Sequence, residues 1–173
     1  MEFSKLVKSR RSIRKFKAQP VEGKIVDEIL QDLLLAPSAG NLQSYKVYVV
    51  KDDEVKARLA EAAFGQGFIK DAPCVLVFCA DPKQSSSKYG ERGSELYSIQ
   101  DAAIACAYAQ LAVADKGLGA VWVGAFDEEK AKQALGIEPS STLRPVSILP
   151  IGYPDEKPKA RPRRPENEMV KEA

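Results

Sequence analysis

The chain has 173 residues, of which 45% are hydrophobic, and 26 Lys and Arg against 24 Asp and Glu give a net charge of +2. This composition excludes a predominantly disordered chain. The sequence contains no run of 18 apolar residues, so it predicts no membrane-spanning helix. The absence of histidine excludes Ser-His-Asp and Cys-His hydrolases and HExxH zinc sites. If the protein is an enzyme, a bound cofactor is the candidate source of its chemistry.

The first half of the chain predicts alternating helices and strands. Apolar residues at helical spacing predict helices over 3–9 and 22–35, and a charged, alanine-rich pattern predicts another over 53–63. The segment 45–50 is typical of a strand. The continuous apolar run at 74–80 is typical of a central strand that is buried on both faces.

The second half begins with a polar segment at 83–93, which we expect to be a mobile loop or lid. A helix is predicted over 94–116, and because its middle is apolar almost all the way round, we expect it at a core or a subunit interface. Short strands are predicted at 120–124 and 145–152, with a helix at 127–135.

The composition changes after residue 150, because five of the eleven prolines lie between 150 and 165. Proline at this density prevents a helix or a central strand. We therefore expect one domain over 1–152 and an extended tail over 153–173 that lies along a surface. The whole pattern predicts an α+β domain that dimerises.

Three cysteines, Cys74, Cys79 and Cys106, lie in apolar runs. Their odd number and their surroundings predict reduced, buried thiols rather than a disulfide framework or a metal site. The N-terminal segment lacks the apolar core of a signal peptide, so we expect a cytoplasmic protein.

The densest basic cluster is near the N-terminus and contains Arg10, Arg11, Ser12 and Arg14. Guanidinium groups bind phosphate oxygens in bidentate fashion, so this spacing is suited to a phosphate. A solvated basic face is the alternative. Nucleic acid is disfavoured by the small net charge and by the lack of interleaved aromatic residues.

Three further segments have residue types that suit a ligand. In the first, 36–43, small residues let a ligand approach the backbone; a helix C-cap and turn is the alternative. In the second, 117–124, backbone N–H groups near Gly124 can face a planar ligand, although Trp122 can equally be a core residue. The third is the basic tail, in which proline keeps the chain extended so that its charges can be directed at a ligand; a solubilising role is the alternative.

In chain order these segments resemble the FMN-dependent nitroreductase family, in its short form, from about residue 7 to residue 168. The motifs are RRSIRKF at 10–16, APSAGNLQ at 36–43, GQGFIKDAP at 65–73, QDAAIA at 100–105, GLGAVWVG at 117–124 and IGYP at 151–154. The family often has Gln-Pro-Trp after the second motif, where this chain has Gln43-Ser44-Tyr45.

The resemblance implies an α+β fold in which helices flank a central, mostly antiparallel sheet. It also implies an intertwined homodimer with two FMN sites at the interface and swapped chain ends. By this resemblance, the contacts to the phosphate and ribityl chain of FMN fall on Arg10, Arg11, Ser12 and Arg14, and the loop supplied by the partner subunit contains Pro37, Ser38, Ala39 and Asn41. The contact with the pyrimidine edge of the flavin falls on Gln66, and the backbone near flavin N5 belongs to Trp122, Val123 and Gly124. The phosphate contacts of the tail fall on Arg161 and Arg163.

The implied activity is an FMN-dependent oxidoreductase. Hydride passes from NADH or NADPH to a nitroaromatic or quinone by a ping-pong mechanism, and no side chain is needed as nucleophile or base because flavin N5 carries the chemistry. We expect no metal, nucleic-acid or membrane partner. A flavin-binding carrier or sensor without nicotinamide turnover is the alternative.

Overall fold

A four-stranded antiparallel sheet of order β1-β2-β4-β3 lies at the centre of the structure, a computed structural model that describes residues 2–172. The strands are β1 Tyr45–Val50, β2 Cys74–Ala80, β3 Gly119–Ala120 and β4 Arg144–Gly152. The expected α+β fold with a mostly antiparallel sheet is confirmed.

Strand β2 is the middle of the core, because all seven of its residues are buried. Val77 pairs with Tyr48 on one side and with Ile148 on the other. Side chains alternate along a strand, so Leu76 and Phe78 point to one face of the sheet and Val77 to the opposite face. The continuous apolar run of the sequence thus faces two apolar layers, as predicted.

Helices cover both faces of the sheet. They are α1 Phe3–Ser9, α2 Gly23–Leu33, α3 Asp53–Ala62, α4 Phe68–Asp71, α5 Pro82–Arg92, α6 Ser98–Asp115, α7 Glu128–Ala134 and α8 Glu166–Met169. Helices α2 and α6 pack on the Leu76 face, and α3, α4 and α7 pack on the Val77 face. None of the helices within residues 2–172 is long and apolar enough to cross a membrane.

Helix α6 packs closely against the sheet because its inner face is built from small residues. Ala102, Ala105 and Ala109 are fully buried. On the outer side of the same helix, Tyr108 keeps 41% of its surface exposed. Ala107 and Tyr108 thus lie on a side of α6 that its own chain does not cover.

The expectation of a mobile loop at 83–93 is wrong, because Pro82–Arg92 forms helix α5. The Asp81 side chain caps its first turn by accepting from the Gln84 N–H at 3.1 Å, and Pro82 fits the first helical position. Ser85 is buried against Gly93, where a Cβ would lie 2.6 Å from the Ser85 carbonyl oxygen. This helix is stabilised by a cap and by local packing, neither of which leaves an apolar pattern in the sequence. Its polar composition therefore suggested a loop.

Two further boundaries differ from the prediction. The helix expected over 94–116 begins only at Ser98, after a π-helical turn over Gly93–Tyr97. The strand expected over 120–124 is limited to Gly119–Ala120, and Val123 rejoins the sheet through an isolated bridge to Ile148. Helix α4 was not predicted. Beyond β4 the chain runs without regular structure until α8, as expected for its proline content.

Candidate functional site

The N-terminal basic segment, residues 10–17, leaves helix α1 in an extended conformation and lies beside the end of strand β3. The Ile13 N–H donates to the Ala120 carbonyl at 3.0 Å, and Ser12 forms a parallel bridge with Ala120. Gly119 allows this approach, since a Cβ there would lie 2.7 Å from Ile13 Cγ1. The small size of Gly119, in the motif at 117–124, therefore allows the basic segment to pack against the sheet.

The start of the tail pairs with the other edge of this segment. The Lys17 N–H donates to the Tyr153 carbonyl at 2.9 Å, and the Asp155 N–H donates to the Lys15 carbonyl at 2.9 Å. The Glu156 carboxylate accepts from the backbone N–H groups of Arg14 and Lys15. These bonds fix residues 153–156 next to a segment that lies about 140 positions earlier in the chain.

Side chains of the basic segment alternate between its two sides, as in a strand. Ile13 faces the core, with 7% of its surface exposed, so Ser12 and Arg14 face the opposite side. There they line an open cavity of about 570 Å³. The residues of this arginine cavity that the sequence analysis predicts are Arg10, Arg11, Ser12, Arg14, Arg161 and Arg163.

The arginine cavity is strongly electropositive. Within residues 2–172, none of its five arginines forms an ion pair with a carboxylate. Burial, followed by the charges of Arg163 and Arg11, lowers the pKa of Arg10. Arg11 donates from Nη1 to the Lys8 carbonyl at 2.7 Å and to the Arg10 carbonyl. The arrangement is suited to a multivalent anion with several oxygen acceptors.

A smaller cavity of about 400 Å³ lies on the Ile13 side of the basic segment. Its lining combines apolar residues such as Val113 and Leu118 with Glu156 and Lys157, and it shares Arg10 and Arg11 with the arginine cavity. The smaller cavity has two arginines and a carboxylate, whereas the arginine cavity has five arginines and no carboxylate, so the arginine cavity is more favourable for an anion.

Gln66 lies in the turn after helix α3 and reaches the segment 122–125. Its Nε2 donates to the Ala63 carbonyl at 3.0 Å and to the Ala125 carbonyl at 3.2 Å. Both amide hydrogens are therefore used, and Oε1 remains as an acceptor. The structure thus brings Gln66 next to the predicted residues 122–124.

Within the segment 122–124, the backbone groups differ in their availability. The N–H and C=O of Val123 both bond to Ile148, at 2.9 and 3.0 Å, and Val123 is buried. Trp122 is half-buried and packs partly against the core. Gly124 is exposed, and its N–H makes no hydrogen bond within the described part of the chain. Gly124 therefore offers a backbone donor to a ligand.

The loop 37–43 is held by helix α6 and does not line the arginine cavity. One Asp101 carboxylate oxygen accepts from the Ala39 N–H at 2.9 Å, and the other accepts from the Ser44 N–H at 3.3 Å. The Ser38 hydroxyl accepts from the Gln43 N–H at 3.0 Å. The predicted residues Pro37, Ser38, Ala39 and Asn41 are therefore ordered by their own chain but separate from the predicted arginines.

Asp101 is a functional candidate that the sequence analysis missed. It is 1% exposed, although acidic residues are rarely buried without a reason. The available signal was an acid inside an otherwise small and apolar helix. That signal identifies a buried carboxylate, but it does not reveal that the carboxylate accepts hydrogen bonds from the N–H groups of a distant loop.

Comparison with known proteins decides the family. The model of the nitroreductase family matches residues 7–69 and 62–153, which together span most of the chain. The chain belongs to the nitroreductase family. This nitroreductase-family chain is 33% identical over 174 residues to the NADH dehydrogenase of Thermus thermophilus, with 85% of this chain and 84% of the relative covered.

Two further relatives have names or titles that mention FMN. The FMN reductase (NAD(P)H) of Bacillus subtilis is 32% identical over 176 residues, with 95% of this chain and 71% of the relative covered. The structure of the NADPH:FMN oxidoreductase from Vibrio harveyi complexed with NAD+ superimposes with a TM-score of 0.88 at 28% identity, covering 98% of this chain and 74% of that one. This nitroreductase-family chain therefore shares both sequence and fold with them.

Proposed function

We propose that this protein is an FMN-dependent oxidoreductase. It takes hydride from NADH or NADPH and passes it, in a ping-pong mechanism, to an electron-poor organic acceptor of the nitroaromatic or quinone type. The observation that carries this proposal is the arginine cavity, in which side chains from the two ends of the chain converge with no carboxylate counter-ion among the described residues. The names of the relatives described above support it.

The donors of the arginine cavity fit the phosphate of FMN. A flavin phosphate carries nearly two negative charges and three acceptor oxygens, and guanidinium groups bind such oxygens in pairs. Arg10 and Arg14 supply charge from one chain end, Arg161 and Arg163 supply it from the other, and the Ser12 hydroxyl adds a neutral donor. Burial is the main cause of the lowered pKa of Arg10, and a bound phosphate offsets the second cause, the repulsion by Arg163 and Arg11.

The polar groups near residues 122–125 fit the edge of a flavin ring. Gln66 Oε1 can accept from a ring N–H, because both of its amide hydrogens are already used. The exposed Gly124 N–H can donate to a ring atom that gains electron density on reduction. When FMN is bound, it supplies the centre that accepts and donates hydride, which is compatible with a chain that has no histidine.

We further propose that two copies of the chain complete each site. The loop 37–41 lies away from the arginine cavity of its own chain, so it is available to the partner's flavin. The outer face of α6 exposes Tyr108, and the tail exposes Met169 and Val170 to 56% and 57%. These apolar surfaces support an interface along α6 with the tail, 153–173, wrapped over the partner. Three unpaired cysteines support the reducing cytoplasm as its location.

The test is the spectrum and reactivity of the purified protein. We expect bound FMN with an absorption band near 450 nm, and anaerobic NADH or NADPH should bleach it. A following quinone or nitroaromatic compound should restore the band in a separate step. A colourless protein that does not bind added FMN would exclude the proposal. Bound FMN that dithionite reduces and neither nicotinamide bleaches would indicate a flavin carrier or sensor.

A further inference from the structure

Phe64 combines two unfavourable properties at one position. Its φ angle is +57°, in the left-handed region, and 73% of its surface is exposed. The residue follows the C-cap of helix α3, where the chain turns, and Gly65 comes next with φ +79°. A bulky side chain is uncommon in this backbone conformation, and helices that end this way usually place glycine there.

Packing within the chain does not explain this phenylalanine. A ring that is nearly three-quarters exposed gains little from burial, so it offsets little of the backbone strain. Glycine would remove both the strain and the exposed apolar surface. The left-handed conformation belongs to the helix cap, in which the Phe64 N–H donates to the Glu61 carbonyl and the Gly65 N–H donates to the Ala60 carbonyl, both at 3.0 Å, but this cap does not require phenylalanine. Residues held in strained conformations cluster at functional sites.

The turn that carries Phe64 is attached to the segment that holds the polar groups proposed to face the flavin. Gln66, two residues later in the same turn, is hydrogen-bonded to the Ala125 carbonyl at 3.2 Å. This bond fixes the turn 64–67 against the segment that contains the free Gly124 N–H. The exposed ring of Phe64 therefore lies on a turn that is hydrogen-bonded to the segment with the Gly124 N–H.

We propose that Phe64 is a substrate-contact residue that stacks on planar, electron-poor rings when they enter the flavin site. This inference rests on the proposed function. The face of a phenyl ring is electron-rich, so it favours an electron-poor ring in an offset stack. Phe64 thus favours nitroaromatic and quinone acceptors over acceptors that have no ring.

The experiment compares Phe64→Gly with Phe64→Ala in the FMN-loaded protein. Both variants lose the ring, so KM for a benzoquinone should rise about three- to tenfold in both, while kcat/KM for ferricyanide, which cannot stack, stays unchanged. The glycine variant also loses the strain, so its melting temperature should exceed that of the alanine variant by about 2–4 °C. The FMN dissociation constant should not change.

A binding measurement separates this inference from the proposed function. 4-Nitrobenzoate is titrated into the oxidised, FMN-loaded protein, and its dissociation constant is read from the shift of the flavin absorption band. We expect both variants to bind it about three- to tenfold more weakly than the wild type. This result would support the role of Phe64 even if neither nicotinamide reduced the flavin, an outcome that contradicts only the proposed function.

Two results would overturn the inference. One is an unchanged KM for benzoquinone together with an unchanged dissociation constant for 4-nitrobenzoate. The other is a variant that sediments as a monomer under conditions where the wild type is a dimer, because Phe64 would then be a subunit contact.

Discussion

Replacement of Asp101 by alanine tests how the loop 37–43 is held. The carboxylate is 1% exposed and accepts from the N–H groups of Ala39 and Ser44 at 2.9 and 3.3 Å. A hydrogen bond to a charged group contributes about 1.5–3 kcal/mol, and an N–H left without a partner in the interior costs about 1–3 kcal/mol. The longer bond to Ser44 contributes at the lower end of that range.

We expect Asp101→Ala to lower the free energy of unfolding by about 3 kcal/mol, a large part of the 5–15 kcal/mol typical of a domain. Asp101→Asn keeps one oxygen acceptor but turns an NH₂ group toward the second N–H. Its cost should be smaller, about 1–2 kcal/mol. The expected order of stability is therefore wild type, Asn and Ala.

The assay is urea unfolding followed by circular dichroism, with and without FMN, and Glu95→Ala is the exposed control. Flavin retention should fall in the same order as stability, because the loop is proposed to contact the partner's flavin. An Asp101→Ala protein with the wild-type urea midpoint and slope would refute this reasoning. So would an Asn variant that is less stable than the Ala variant.

Three further predictions concern the arginines, the tail and the thiols. Arg14→Ala should weaken FMN binding by about 1.5–3 kcal/mol, and unchanged flavin occupancy after dialysis would remove Arg14 from the site. Truncation after Gly152 should lower dimer stability and flavin retention together; an intact, flavin-loaded dimer would contradict the wrapped tail. Burial raises the pKa of Cys74 to about 11 and that of Cys79 and Cys106 to about 12. The native state keeps these protons while unfolded thiols ionise near pH ~8.5, so the free energy of unfolding should fall as the pH rises from about 8.5 to about 12. This fall should be smaller in Cys79→Ala, and an identical pH profile for that variant would exclude the thiol's contribution.

Much of the fold could be predicted because hydrophobic patterns reflect burial directly. The apolar run at 74–80 became the central strand β2, and the helical spacing of Ile29 and Leu33 became the buried face of α2. Helix α5 could not be predicted this way, because it depends on the Asp81 cap and on the packing of Ser85 against Gly93. Neither feature leaves a hydrophobic period in the sequence.

The candidate site was predictable in its residue types but not in its assembly. Spacing alone left the basic cluster open to a solvated face, and only the family resemblance linked it to Arg161 and Arg163. The register that joins the two chain ends arises from backbone bonds such as Lys17 to Tyr153, which no side-chain pattern encodes. The left-handed conformation of Phe64 was also hidden, because phenylalanine does not signal a positive φ angle.

A crystal structure of the FMN-loaded protein tests the central claim most directly. We predict a dimer in which each phosphate is bound by Arg10 and Arg14 of one chain, and each ring contacts the loop 37–41 of the other. A monomer, or a phosphate bound away from these arginines, would contradict it.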